Sequence, residues 1–178
     1  MPRISQLVLM GVAGSGKTTL ANELGRRLGC EVADADEFHP PANVAKMASG
    51  IPLEDEDRWP WLKAIAAWIG AREESGRTAV VTCSALKRAY RDVLRSASAR
   101  LIFVHLSGTP ALIADRLASR RGHFMPPALL DSQLAILEPL GPDEPGLTLD
   151  VAAPPADLAE QVIRSLGLAP ASQPGSQG

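Results

Sequence analysis

Cysteine is nearly missing from this 178-residue chain, which has only Cys30 and Cys83. Two thiols build neither a disulfide framework nor a cysteine-based metal site, and they fit a reducing cytoplasm. Histidine is almost as scarce, and His39, His105 and His123 lack the spacing of a transition-metal site. Aromatics make up 4% of residues without a stacking motif, and the net charge of −2 leaves no basic excess. Those two deficits argue against a nucleic-acid partner. No apolar run approaches the roughly 18 residues of a membrane span, so no membrane partner is expected. Nor does an h-region precede the strand-length run Leu7–Met10, so no secretory signal is expected. What is present is ordinary for one soluble domain with a real core: 46% hydrophobic and 21% charged residues, with no internal repeat.

The chain is organised around Gly11-Val12-Ala13-Gly14-Ser15-Gly16-Lys17-Thr18. This segment follows the apolar run Leu7-Val8-Leu9-Met10 and opens a helical pattern through Leu20, Ala21, Leu24 and Leu28. Strand, glycine-rich loop and helix at the spacing G-x-x-x-x-G-K-[ST] make a phosphate-binding P-loop. Its glycines let the backbone approach a ligand, and the helix N-terminus adds partial positive charge where phosphate oxygens would lie. Lys17 is placed to reach the β- and γ-phosphates, and Thr18 to offer its hydroxyl to Mg²⁺.

Downstream, short strands alternate with helices. Strands are expected at Glu31-Val32-Ala33, Thr78 to Cys83, Leu101 to Leu106 and Leu147 to Val151. Helices are expected through Trp61–Ile69, from about Leu86 to Arg95, over 110–120, from Pro127 or Ala128 to Leu137, and over Ala156–Leu166. Residues 42–57 carry turn signals and the acidic run Glu54-Asp55-Glu56-Asp57. The alternation predicts an α/β fold with three layers, a mainly parallel five-stranded sheet with helices on both faces. Ligands bind such sheets outside the carboxyl ends of the strands, which places the P-loop, Asp34, Asp36, Ser84 and Asp150 along one edge. Charge is uneven: residues 34–63 hold seven acidic and three basic side chains, and residues 86–121 hold eight basic and two acidic ones. From Ala169 the Pro/Gly/Ser/Gln tail is expected to be disordered, leaving one domain over residues 1–168.

A P-loop specifies phosphate binding, not a reaction. The guanine-reading N-K-x-D is absent, there is no room for a motor's extra domains, and Asp36 follows the second strand rather than a long third one. The compact layout is that of small-molecule and nucleoside monophosphate kinases, with a substrate-holding insertion (about residues 37–60) and a basic lid (about 119–127). Several motifs narrow it: Asp34-Ala35-Asp36-Glu37-Phe38-His39-Pro40; Lys46-Met47-Ala48-Ser49-Gly50-Ile51-Pro52-Leu53; and Asp55-Glu56-Asp57-Arg58-Trp59-Pro60-Trp61-Leu62. So do Cys83-Ser84-Ala85-Leu86-Lys87, Tyr90-Arg91-Asp92, Arg120-Arg121-Gly122-His123-Phe124-Met125, Ser132-Gln133 and Leu137-Glu138-Pro139. Over about residues 5–165 the chain resembles the small P-loop gluconokinases. Ala35 stands where glycine is common in that family, a departure expected to be tolerated.

The resemblance implies ATP- and Mg²⁺-dependent phosphorylation of the 6-hydroxyl of D-gluconate, and it suggests a homodimer. The residue chemistry agrees. A linear polyhydroxy acid needs a cation for its carboxylate, and Arg58, Lys87 and Arg91 are the candidates; Lys87 and Arg91, four apart, would share one helical face. Asp36 is the candidate to orient or deprotonate the attacking hydroxyl, while Asp34 could serve as a turn cap. His39 is either a substrate hydrogen-bond partner or a loop fixture, and His123 is a further candidate substrate contact. Arg116 and Arg120, also four apart, would meet the nucleotide and the transferring γ-phosphoryl from the lid. Mg²⁺ would be held by Thr18, ATP oxygens and water, with Asp36 in its outer shell. Two other readings stay open. A shikimate kinase-like enzyme is one, although that family's glycine triplet is replaced here by Ser84-Ala85-Leu86-Lys87. The other is a nucleotide-binding regulatory module without turnover.

Overall fold

The structure, a computed structural model, describes residues 5–119 and 127–171. Five strands pair in parallel in the order β2-β3-β1-β4-β5: β1 Gln6–Met10, β2 Glu31–Asp34, β3 Ala79–Thr82, β4 Leu101–Ser107 and β5 Gly146–Asp150. The helices are α1 Lys17–Leu28, α2 Pro41–Ala48, α3 Asp55–Glu74, α4 Arg88–Arg95, α5 Pro110–Ala118, α6 Pro127–Ile136 and α7 Pro155–Leu166. A 3₁₀ turn, Ala35–Phe38, follows β2.

The three-layer α/β expectation is met, for a reason visible in β1. All five of its residues are buried, as a central parallel strand covered on both faces requires. Val8 and Met10 join the core shared with α3 and α4, while Leu7 and Leu9 join the core shared with α1 and α7. The same alternation sends Phe103 to the first layer and Val104 and Leu106 to the second. A third, smaller cluster of Val12, Leu86, Ile113 and Leu130 lies directly at the P-loop. The chain fills positions on one side of β1 and then on the other, so the crevice at the strand ends opens where the P-loop leaves β1.

Two local departures from the sequence reading concern the insertion. Residues 41–48 form a helix rather than turns. Pro41 occupies its first turn, where a missing N–H costs nothing, and the expected turn falls only after it, at Ser49 and Gly50 (φ 72°). The acidic run is not loop either. It forms the first turn of α3, where carboxylates meet the positive end of the helix dipole, and Asp57 Oδ2 accepts from the Glu54 amide at 2.9 Å. Pro60 therefore lies inside the helix rather than before it. At the other end of the chain, the Ala171 amide donates to the Arg27 carbonyl at 2.8 Å.

Candidate active site

The P-loop is tied down from both sides. Its first amide, Gly11 N–H, donates to the Ser84 carbonyl at 3.2 Å, joining it to the end of β3. Gly11 has φ +148°, and a Cβ there would lie 2.8 Å from both the Leu106 carbonyl oxygen and Ser15 Oγ, so only glycine fits. Gly14 has φ +80° and would meet Leu117 of α5 at 2.5 Å. Lys17 Nζ donates to the carbonyls of Gly11 (2.8 Å) and Val12 (3.1 Å), holding the ammonium across the loop's first residues. Thr18, in the first turn of α1, is exposed. Beside the loop lies a cavity of about 280 Å³, walled by Gly14 to Gly16, Thr19, Arg116 and the β5–α7 connection at Ala153 and Pro155. Arg116 is braced there by donating to the Val151 carbonyl.

On the opposite side of β1, Asp34 Oδ1 accepts from the Asp36 amide at 2.9 Å and so caps the 3₁₀ turn. Trp61 Nε1 donates to the Ala35 carbonyl at 2.7 Å from below. Ala35 is buried and its φ is not positive, so the alanine needs no glycine conformation and the departure costs nothing. Clamped this way, the turn leaves Asp36 exposed, and its carboxylate accepts no hydrogen bond among the described residues. Lys17, Asp36 and Asp34 all act electrostatically on Cys83, at the end of β3, so the P-loop lysine and the two aspartates converge on one strand edge. Burial pushes the Cys83 thiol up to about 12, so it is no nucleophile.

His39 stacks on Trp61 with ring centroids 4.5 Å apart and planes 9° apart. Asn43 Nδ2 lies 3.3 Å from His39 Nδ1 and donates to the Asp57 carbonyl at 2.9 Å. With a donor facing Nδ1, the neutral ring carries its proton on Nε2. Burial lowers the His39 pKa, against the pull of Asp36, which favours that neutral form. Asn43, which fixes His39 to the start of α3, is a residue that the sequence reading missed. No signal along the chain pointed to it, since it is the one buried residue of a helix that no apolar periodicity marks.

Two of the three candidate cations meet. Arg58 Nη1 lies 3.1 Å from Asp55 Oδ1, and Lys87 Nζ lies 3.8 Å from Asp55 Oδ2. Between them stands Tyr90, the chain's single tyrosine, whose hydroxyl donates to Asp55 Oδ1 at 2.6 Å. Both cations also lie near its ring, Arg58 at 5.7 Å and Lys87 at 5.6 Å from the centroid. The Tyr90 hydrogen bond and the neighbouring cations hold the Asp55 carboxyl below its ordinary range, and burial with the Asp55 bond pushes Tyr90 up to about 12. Lys87 is the N-cap of α4 rather than a residue of its first turn.

Arg91 is a correction. It does not share a face with Lys87 and is wholly buried, with its Nε and Nη2 on Glu144 at 2.8 and 3.0 Å. Nη1 donates to the Ala85 carbonyl at 2.8 Å, so Arg91 is a scaffold cation with no surface to offer a substrate. What it holds matters: Ala85, at φ 45°, is the only non-glycine residue with positive φ among those described, in the turn that carries Ser84 and Lys87. Arg120 and His123 lie outside the described residues, as does most of the expected lid. Among the described residues no group of three or more His, Cys, Asp or Glu could hold a metal, and no helix is long and apolar enough to cross a membrane.

Comparison with known proteins bears directly on this geometry. A family model described as an AAA domain matches residues 7–140. The gluconokinase of Gluconobacter oxydans (strain 621H) is 49% identical over 158 residues, covering 89% of each chain. The chain belongs to the gluconokinase family. The crystal structure of a gluconokinase from Sinorhizobium meliloti 1021 superposes with a TM-score of 0.82 at 41% identity, covering 93% of this chain and 94% of that one. An unliganded sugar kinase from Janibacter sp. HTCC2649 gives 0.86 at 51% identity, covering 95% and 98%. The shikimate kinase from Aquifex aeolicus vf5 superposes with a TM-score of 0.57 at 16% identity, covering 91% of this chain and 96% of that one, a likeness of fold alone. In this gluconokinase-family chain the strand-end turn is held by Arg91 at Ala85, with no glycine in it.

Proposed function

We infer that this chain transfers the γ-phosphoryl group of ATP to the 6-hydroxyl of D-gluconate, giving 6-phospho-D-gluconate and ADP. The observation that carries the reading is the convergence of three parts on one sheet edge. These are the P-loop with Lys17, the unpartnered Asp36 carboxylate, and the Arg58–Lys87 pair. The cavity beside Gly14 to Gly16 and Arg116 suits the rest of the nucleotide. Asp36, the insertion residues His39 and Arg58, and Lys87 at the start of α4 suit a polyhydroxy carboxylate, since two cations match its carboxylate and the neutral His39 offers an Nε2–H to a hydroxyl.

In the transfer, the acceptor oxygen bonds to the γ-phosphorus while the bond to the β–γ bridging oxygen breaks. Asp36 orients the acceptor hydroxyl and takes its proton, and Lys17 balances charge on the phosphoryl oxygens. The donor set fits Mg²⁺ held largely by ligand oxygens and water: Thr18 is exposed at the start of α1, and among the described residues no cluster of three or more His, Cys, Asp or Glu could hold the ion. When bound, that ion neutralises phosphate charge.

The test is ADP release across a panel of sugar acids and shikimate, with Mg²⁺ and ATP. Gluconate-dependent release that exceeds every other acid is expected. Release with shikimate alone would assign a different acceptor, and nucleotide binding without acceptor-dependent release would make the chain a regulatory module.

A further inference from the structure

Helix α6 lays Leu130 and Leu134, and Leu137 just past its end, in one cluster with the P-loop residue Val12, which Leu86 and Ile113 close. Spacings of three and four residues put these leucines on one face. Gln133 sits within that stripe, as a polar residue where the helix otherwise presents leucine to the loop. Its Oε1 accepts the Ala13 amide at 2.8 Å, 120 positions away in sequence. Ala13 follows Val12, whose carbonyl, together with that of Gly11, holds Lys17 Nζ. Gln133 is therefore anchored at the end of the loop where the lysine is held, and a P-loop lysine serves the β- and γ-phosphates.

The hydrogen bond also decides which way the amide faces. Only the oxygen can meet an N–H, so the two Nε2 hydrogens face elsewhere. No described residue accepts from them, and Gln133 is only half-buried. Satisfying the Ala13 amide needs the oxygen alone, which leaves a fixed pair of donors at the phosphate end of the loop unaccounted for.

We propose that Gln133 is a further substrate-contacting residue, whose Oε1 is pinned by Ala13 so that Nε2 donates to the terminal phosphate of the bound nucleoside triphosphate. The proposal rests on the ATP reading of the P-loop given above. It makes the helix after the lid segment a reader of the third phosphate, with no contact to the first two.

Calorimetric titration of the full chain with Mg-ADP and with the non-hydrolysable imido analogue of ATP tests it, using wild type, Gln133→Leu and Gln133→Glu. Gln133→Glu keeps the acceptor for Ala13 and replaces the donors with a carboxylate oxygen. Hydrogen bonds to charged groups are the stronger ones, so Gln133→Leu is expected to weaken the triphosphate analogue by about 10-fold and ADP by less than about 2-fold. Gln133→Glu should weaken the analogue further while leaving ADP and the apo melting temperature nearly unchanged. Equal weakening of both nucleotides would reduce Gln133 to a support for the loop, and wild-type binding by Gln133→Glu would dismiss the donors. Tighter analogue binding by Gln133→Leu would mean that the side chain competes with phosphate. Failure of the wild type to bind either nucleotide is a separate result, and it would overturn the P-loop reading itself.

Discussion

Glu144→Gln removes one charge from an ion pair in which neither side chain has exposed surface. The glutamine can still accept one hydrogen bond, but the Arg91 guanidinium is left buried without a counter-charge, and the Gly141 amide loses its carboxylate acceptor at 2.8 Å. Breaking a buried pair from one side costs about 3–5 kcal/mol. That is a large share of the roughly 5–15 kcal/mol that holds a domain together. For a chain of this size it corresponds to a fall in melting temperature of roughly 6–20 °C. The sign of the pH dependence follows. Burial raises the Glu144 carboxyl, but the Arg91 guanidinium and the Gly141 amide outweigh it and hold the group below its ordinary 4.5. The stabilisation is thus present in full above that value and is lost as pH falls through the lower folded value, so the gap between wild type and variant should close in acid. Thermal unfolding followed by the fluorescence of Trp59, Trp61 and Trp68 across pH measures both effects. Arg91→Met with Glu144→Leu should recover much of the loss, because the unpaired charge disappears. A Glu144→Gln protein melting within about 2 °C of wild type at neutral pH would refute the assignment of Arg91 as a buried scaffold cation.

Four further variants test the site. Lys17→Ala should abolish ATP turnover with the fold intact, checked by ADP release beside circular dichroism, because its ammonium lies across the loop rather than in the core. Asp36→Asn should lower kcat and kcat/KM together by about 10²- to 10⁴-fold with little change in KM. Asp34→Asn should cost less, since an asparagine oxygen can still cap the Asp36 amide; normal turnover by Asp36→Asn in steady-state kinetics would show that the wrong carboxylate carries the proton. Lys87→Ala should raise KM for gluconate more than KM for ATP, because Lys87 stands with Arg58 at Asp55; equal effects on both substrates would place it with the nucleotide.

Much of this molecule is legible along the chain because its information is local. The P-loop is eight consecutive residues between a strand and a helix, and each glycine in it answers to backbone geometry that a side chain would block. The strands of the core read as short apolar runs because both faces are covered, and the alternation with helices leaves a parallel sheet as the economical arrangement. Asp34 and Asp36 could be paired with a cap and an exposed carboxylate, but nothing local says which is which. That depends on the direction the 3₁₀ turn takes, and Trp61 sets it from α3.

The remainder was decided by contacts between distant segments. Lys87 and Arg91 look alike in sequence, two basic residues four apart. The difference comes from Glu144, 53 positions beyond Arg91, which draws one arginine into the core and leaves Lys87 at the N-cap beside Asp55. Helix α2 was invisible because its single buried side chain is Asn43 while Val44 and Met47 are exposed, so no apolar periodicity marks it. Gln133 shows the same limit from the other side: Ser132-Gln133 stands out as a motif along the chain, but what the glutamine holds appears only when the fold brings Ala13 to it. Composition and spacing determined which chemistry this chain carries, because phosphate binding and core burial are written in neighbouring residues. Which charges are buried and which stay at the strand ends was settled only in three dimensions, because burial and counter-charge are properties of the packed chain.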